Sequence, residues 1–474
     1  MHKKDLKEIL VNSILKILLI FIFITNCSYN KNSTFWSNTK KIEKNVEKLP
    51  VINLFKAEEA FNTELNSNLK IKFSTNVFSN NSTNNQNHNG RINYSGNLEN
   101  ISRYKFSKIK YFDEFEPEVI FQDDNIIFFN SKGSILKFDS FSKLIWEKSY
   151  YSKSEKKLSP LLYMASNKST LVVVDNISKF YALDINSGEL LWSKNHNAGF
   201  ISEVKIHNDK FFVMDSNNIL RCYSLKDGSQ IWEFQNVNKL IKSQKKLSIA
   251  LIKNSIIFNN STGDINAVDI DSGELIWVTP IASEVSLTEF FLLKMSDLVI
   301  SNNTVFFSTN QNEFFSINAV SGIINWEQKI NSDLRPTIIG NLIFTVTLEG
   351  FLIIMNSETG DILRITDLFG KLSDKKSDWN VFTSKKMNPL YLFGNKKKKN
   401  EDTNKTKPIF EPVGFIVGID NIYLTTDHGK LYIINIITGN IESILKIDNE
   451  KISRPFVSSN DLFLIKNNSI IKLN

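Results

Sequence analysis

The chain has 474 residues, 42% of them apolar and 23% charged, which suits a soluble globular body with a sizeable core. Its formal net charge is +7. That is a mild excess over a large surface, and it excludes a dedicated nucleic-acid-binding footprint.

Lys3, Lys4, Lys7 and Lys16 precede an unbroken apolar run, Ile17 to Ile24, and then "ITNCS", Ile24 to Ser28. A basic stretch, a short apolar stretch and a small cleavage motif read as a secretory signal. Eight apolar residues cannot span a hydrocarbon core, which needs about twenty. Cleavage between Asn26 and Cys27, in the manner of a bacterial lipobox, leaves Cys27 as an acylated N-terminus. Ser28 is not the Asp that commonly retains such lipoproteins on the inner membrane, so the pattern implies the outer membrane of a Gram-negative cell. After cleavage, 53 basic residues face 48 acidic ones, and Cys222 is the remaining thiol. A secreted chain with one cysteine left over has no internal disulfide framework.

Residues 27–100 are polar and carry a low-complexity tract, "SNNSTNNQNHNG", Ser79 to Gly90. This stretch reads as an acylated N-terminus followed by a flexible tether.

From residue 101 onward the chain repeats itself. "GELLW" (Gly188–Trp192), "GSQIW" (Gly228–Trp232), "GELIW" (Gly273–Trp277) and "GIINW" (Gly322–Trp326) are successive copies, and Ser142–Trp146, "SKLIW", is an earlier one. "GDILR" (Gly360–Arg364) and "GNIES" (Gly439–Ser443) are degenerate ones. Four residues before each glycine stands a short polar residue: Asp184, Ser224, Asp269, Asn318, Asn356 or Asn435. Such side chains bond their own backbone and close a turn, while glycine takes the positive φ that ends it. Asp184 and Asp269 are therefore turn caps rather than catalytic carboxylates. The recurring Trp is a packing residue, because a planar ligand would need one or two such rings and not one per repeat.

A second strand-opening motif recurs at Asn125, Ser169, Asp209, Asn254, Asn303, Asn341, Asn421 and Asn460, at spacings of 44, 40, 45, 49, 38, 80 and 39 residues. A period of this size with four strands per unit marks β-propeller blades. The predicted fold is an all-β, eight-bladed propeller of four-stranded antiparallel blades over residues 101–474. The long spacing holds a charged insertion at about 369–411, with Lys396–Lys399 inside it. The last copy runs out of chain after two strands, so an N-terminal segment, Ile101 to Phe112, is expected to supply the missing edge and close the ring.

The repeat pattern resembles the quinoprotein-type (PQQ) propeller repeat. An eight-bladed ring on a lipid anchor resembles the BamB family of outer-membrane protein assembly lipoproteins, and Asn87–Leu98, "NHNGRINYSGNL", resembles the segment that enters the ring there. The resemblance implies a non-catalytic periplasmic scaffold with no cofactor. It implies docking onto the periplasmic domains of the barrel-assembly receptor and contact with unfolded outer-membrane proteins, with no nucleic acid and no small-molecule substrate. It also implies that the stretches leading into the fourth and fifth blades meet that receptor. The residues at those places are Leu240, Ile241 and Lys242, then Glu289, Phe290, Phe291 and Asp297. Apolar anchors rimmed by charge suit such a site.

Two alternatives stand beside this reading: a quinone-dependent dehydrogenase, and an envelope propeller that binds sugar or peptide. Dehydrogenases of this repeat use an adjacent cysteine pair, which a chain left with Cys222 alone does not have. His88, His196, His207 and His428 share no metal-ligand spacing. Cys222 occupies a column of small residues held elsewhere by Ala182, Ala267 and Ser316, which marks it as a buried, inert thiol.

Overall fold

The computed structural model describes residues 63–73, 78–79, 85–88, 90–110, 112, 117–235, 246–281, 293–370 and 410–474. The predicted ring is present: eight four-stranded antiparallel blades run from hub to rim, and the sheet of blade 7 is extended at the hub by two short parallel strands, Arg91–Ile92 and Phe78–Ser79. Blade 1 begins with Ile120–Gln122 at the hub and ends with Leu144–Lys148 at the rim. Blades 2 to 7 repeat that order, with rim strands Leu190–Asn195, Gln230–Gln235, Leu275–Thr279, Ile324–Gln328, Ile362–Asp367 and Ile441–Lys446. Blade 8 takes three strands from the C-terminus, Phe456–Ser458, Asp461–Lys466 and Ser469–Leu473, and its rim strand, Asn100–Lys105, from the N-terminal side. Pairing runs from Asn100 against Leu473 to Lys105 against Ser469, so the ring is closed by the strand expected to close it.

Burial explains why the strands read as they do. The second strand of each blade, such as Thr170–Asp175 (TLVVVD) or Leu342–Val346 (LIFTV), is almost wholly buried, because neighbouring blades cover both of its faces. The rim strands are more exposed: Leu190–Asn195 exposes every residue at least in part, whereas Leu144–Lys148 and Leu275–Thr279 bury their Trp.

The repeated Trp and Gly are two halves of one joint. The signature turn is closed by its polar cap: Asp184 Oδ1 accepts from the Asn186 and Ser187 amides at 3.0 and 2.8 Å. The glycine then sits at φ +72° at residue 188. A Cβ there would come within 2.9 Å of the Trp146 ring of the preceding blade. The same holds at Gly322, where it would meet Trp277 at 2.6 Å. Each Trp ring thus lies flat on the bare backbone of the next blade's turn. Four of the five indole N–H groups then donate to a carbonyl of that turn: Trp146 to Asn186 at 2.9 Å, Trp192 to Leu225 at 3.0 Å, Trp277 to Ala319 at 3.2 Å and Trp326 to Ser357 at 3.1 Å; the buried Trp232 Nε1 makes no such bond.

A bulge aims the ring. In blades 1 to 7 the pairing of third and rim strands slips by one residue just before the Trp position, as between Ala182–Trp192 and Leu183–Leu190. An extra residue twists the edge and turns the next side chain out of the sheet.

The degenerate copies have structural reasons. Blade 7 ends on "GNIES" because blade 8 has no signature turn to receive a Trp; its third strand stops at Leu473. Where blade 8 meets blade 1, Tyr104 does the work, its hydroxyl donating to Ser140 O at 3.2 Å.

Candidate functional site

Strand order gives the ring two unlike faces. On one face lie the hub hairpins and the signature turns. On the other lie the connections that carry the chain from each rim strand to the next hub strand. Segments 236–245, 282–292 and 371–409 belong to these connections and lie outside the described residues. Leu240, Ile241, Lys242, Glu289, Phe290, Phe291 and the Lys396–Lys399 run are among them, as are the signal segment and Cys27.

Asp297 is described, and its place differs from the expected exposed rim. It is buried, two residues before the hub strand Val299–Ser301. Arg335 meets it through two nitrogens on one carboxylate oxygen, with Nε at 2.7 Å. An acid with this partner is stable inside the ring, whereas the sequence alone showed an acid at the end of a stretch that mixes apolar and charged side chains.

Asp297 belongs to a charged network around the hub opening. Glu118, Glu203, Asp297, Arg335 and Arg454 each stand two residues before a hub strand, and Lys246 three before. Lys246 Nζ lies 2.8 Å from Glu118 and 3.5 Å from Glu203. Arg454 reaches Glu118 at 3.2 Å, Arg335 reaches Glu203 at 3.4 Å, and Lys205 reaches Glu203 at 2.8 Å. Burial alone would raise the Glu118 carboxyl, but Lys246, Arg454 and Arg335 outweigh it and hold it well below the carboxylate range. Burial likewise works against the Arg335 charge, and Asp297, Glu203 and Glu118 override it and raise its pKa.

Carboxylate oxygens of Glu118, Glu203 and Asp297 lie within 4.8 Å of one another, a spacing a divalent cation accepts. Four basic side chains already stand among these three acids and more than balance their charge, which disfavours a cation there. The cavity at this opening, between Phe112, Pro117, Arg335, Phe415 and Arg454, holds about 30 Å³. That is room for water, not for a planar cofactor.

Behind the network the hub is filled by the chain's own N-terminal side. Leu251 N donates to Asn85 O at 2.7 Å and Ile300 N to Gln86 O at 2.9 Å, on the hub strands of blades 4 and 5. Asn87 is 1% exposed, and its amide donates to Ser248 Oγ, Ile249 O and Leu298 O at 3.2, 3.1 and 3.0 Å. Its oxygen accepts from Lys205, which also holds Glu203. The chain then turns back: Arg91 pairs with Val417, its guanidinium bonds to Gly418 O and Ile419 O, and Ile419 N donates to Tyr94 O at 2.9 Å. The segment resembling a ring-entry element therefore does enter the ring. The tether expected over 27–100 is not free over its described part, since residues 63–73, 85–88 and 90–99 are docked. The Asn-rich composition hid this, because the partners of Asn87 lie 118 to 211 residues away.

Cys222 is fully buried, and burial pushes its thiol up to about 12, which keeps it protonated and unreactive. His428 lies at the surface, 2.7 Å from Asp427. Among the described residues no helix is long and apolar enough to cross a membrane.

These features define a closed eight-bladed propeller of Trp–Gly-locked blades with a self-plugged hub. A family model described as "Outer membrane protein assembly factor BamB" matches residues 131–366. An assembly factor of that name from Shewanella oneidensis is 21% identical over 332 residues, covering 62% of this chain and 79% of its own. An uncharacterised protein of Rickettsia prowazekii is 17% identical over 324 residues, covering 58% and 77%. Among solved structures, BamB from Moraxella catarrhalis superposes with a TM-score of 0.60 at 13% identity, over 80% of this chain and 99% of that one. A quinohemoprotein alcohol dehydrogenase from Comamonas testosteroni reaches 0.59 at 8% identity, over 81% and 78%. The chain is a BamB-like propeller of PQQ-type repeats.

Proposed function

We propose that the protein is a lipid-anchored, non-catalytic scaffold of the outer-membrane β-barrel assembly machinery. It sits on the periplasmic face of the outer membrane, attached through acylated Cys27. It docks onto the barrel receptor's periplasmic domains and lies beside unfolded outer-membrane proteins.

The observation that carries this reading is the match to relatives named as assembly factors. The connections into blades 4 and 5 form the docking surface, with Leu240, Ile241, Lys242 and Glu289 as its contacts. Asp297 supports that surface from below. Lys246 follows the first connection directly and Asp297 closes the second, so the hub network clamps both loop ends. A loop with a rigid foot loses less entropy on binding.

The test is Ile241→Ala combined with Glu289→Lys in the full chain. Truncating a binding hot spot costs about 2 kcal/mol or more, roughly thirtyfold in affinity for the receptor's periplasmic domains. Unchanged affinity from a folded variant would remove these connections from the docking surface.

A further inference from the structure

In blade 6 the repeat's Trp is replaced by Arg364, and the seam it faces is built differently from the others. Arg364 is wholly buried. It makes the bond a Trp makes elsewhere, to a carbonyl of the next blade's turn: Nη2 donates to Ile436 O at 3.3 Å. It also has donors that an indole lacks. Nη1 donates to Ile437 O and, at 2.9 Å, to Leu69 O, which lies in the N-terminal segment. Its described partners are carbonyls and not carboxylates, and burial pulls its pKa down to about 10. A buried guanidinium held this way needs each carbonyl it has.

The N-terminal segment over 63–73, "TELNSNLKIKF", lies along this seam. Leu65 and Ile365 exchange both backbone hydrogen bonds, at 3.2 and 2.9 Å, so the segment adds to the rim strand of blade 6. The Asn66 amide donates to Leu363 O at 3.1 Å, and Asp367 N donates to Glu64 at 3.2 Å. Ile71 N donates to Ile437 O at 3.2 Å, and the Ile71 side chain is buried in the core shared by blades 6 and 7. Phe73 stacks on Phe344 at 6.1 Å, and the Arg91 guanidinium lies over the Phe73 ring at 4.6 Å. At the same register in blade 2, Leu191 is 54% exposed; its counterpart in blade 6, Leu363, is half-buried and packs against the blade 6–7 core.

We propose that the blade 6–7 seam is a peptide-binding site, created by placing Arg364 in the Trp column, and that its ligand is an extended segment with the chemistry of residues 63–73. That chemistry is one strand-pairing residue, a side-chain amide after it, a carbonyl aimed at the guanidinium, and an apolar anchor two residues beyond that carbonyl. In this chain the site holds the protein's own segment. It thereby fixes where the N-terminal chain leaves the ring, at the rim of blade 6 rather than at the closing strand.

Hydrogen exchange on the full chain tests this. Arg364→Trp restores the repeat's own side chain over Gly439, so the blades stay locked while the bond to Leu69 is lost. The Leu65 and Ile71 amides are expected to exchange at least about tenfold faster, which is one lost charge-assisted bond. Amides of the blade 2 strand Thr170–Asp175 should be unchanged. Should that variant not fold, a second one decides: the full chain with Leu65→Asp and Ile71→Asp, whose seam is vacated. A fluorescent peptide of sequence TELNSNLKIKF should bind it saturably, and bind the wild-type chain and a scrambled control far more weakly. Unaltered Leu65 and Ile71 exchange in folded Arg364→Trp, or no saturable peptide binding by the double variant, would overturn the proposal.

Discussion

At the scale of single residues, the joint between blades is the best-defined interaction, and it makes the sharpest demands. Trp277 is 9% exposed, lies on Gly322 and donates to Ala319 O. Trp277→Ala should cost about 3–5 kcal/mol, the range for a large aromatic removed from a core. Gly322→Ala should also destabilise, because the residue needs φ +73° and the new methyl meets the ring. Thermal unfolding checks both, and a change under 1 °C for either would refute the joint. Glu118 gives a pH prediction. Its folded pKa lies below its unfolded one, so the ionised form contributes fully above about pH 5 and its contribution fades as pH falls. The midpoint difference between wild type and Glu118→Gln should be largest near neutral pH and shrink on acidification. A difference that does not vary with pH would mean the network does not stabilise the ring. Removing Arg335 leaves Asp297 and Glu203 facing an uncharged group, so Arg335→Leu should cost about 3–5 kcal/mol.

At the scale of elements, two N-terminal pieces carry the closure. Asn100–Lys105 supplies the rim strand of blade 8, and residues 85–88 and 90–92 lie in the hub. Deleting 100–105 opens a sheet edge and should abolish cooperative folding. Deleting 85–90 would be harmless for a tether. Here it removes Asn87 and with it the bonds to Ser248, Lys205 and two hub carbonyls, so even Asn87→Ala should cost about 2 kcal/mol or more. A neutral Asn87→Ala would show that the plug does not bear on stability. The sequence made blade number, strand order and ring closure legible because each rests on a feature repeated in register: the capped turn, the glycine, the Trp. It hid what occurs once. Arg364 looked like decay of the repeat, since nothing in its own blade shows the carbonyl of Leu69 coming from 295 residues away. Asn87 lay in an Asn/Ser tract whose composition suggests solvent. The hub network did leave a trace, an acidic or basic residue at a fixed offset before most hub strands. Those strands are three or four residues long, too short to give the offset a visible frame.

At the scale of the whole molecule, the ring closes around a charged hub, and the described N-terminal residues are fastened to that hub and to the seam of blades 6 and 7. Residues 63–73 are docked on the ring and so do not serve as tether. A shorter tether raises the effective concentration at a partner within its reach. Mass spectrometry of the membrane fraction should find a diacylated or triacylated peptide beginning at Cys27, and an unmodified Cys27 in the mature chain would remove the anchor. The most direct measurement of the central claim is a calorimetric titration of the purified ring with the periplasmic domains of the barrel-assembly receptor from the same cell. The expected result is a one-to-one complex that weakens about thirtyfold with Ile241→Ala and Glu289→Lys together. A folded wild-type ring that shows no binding to those domains would contradict it.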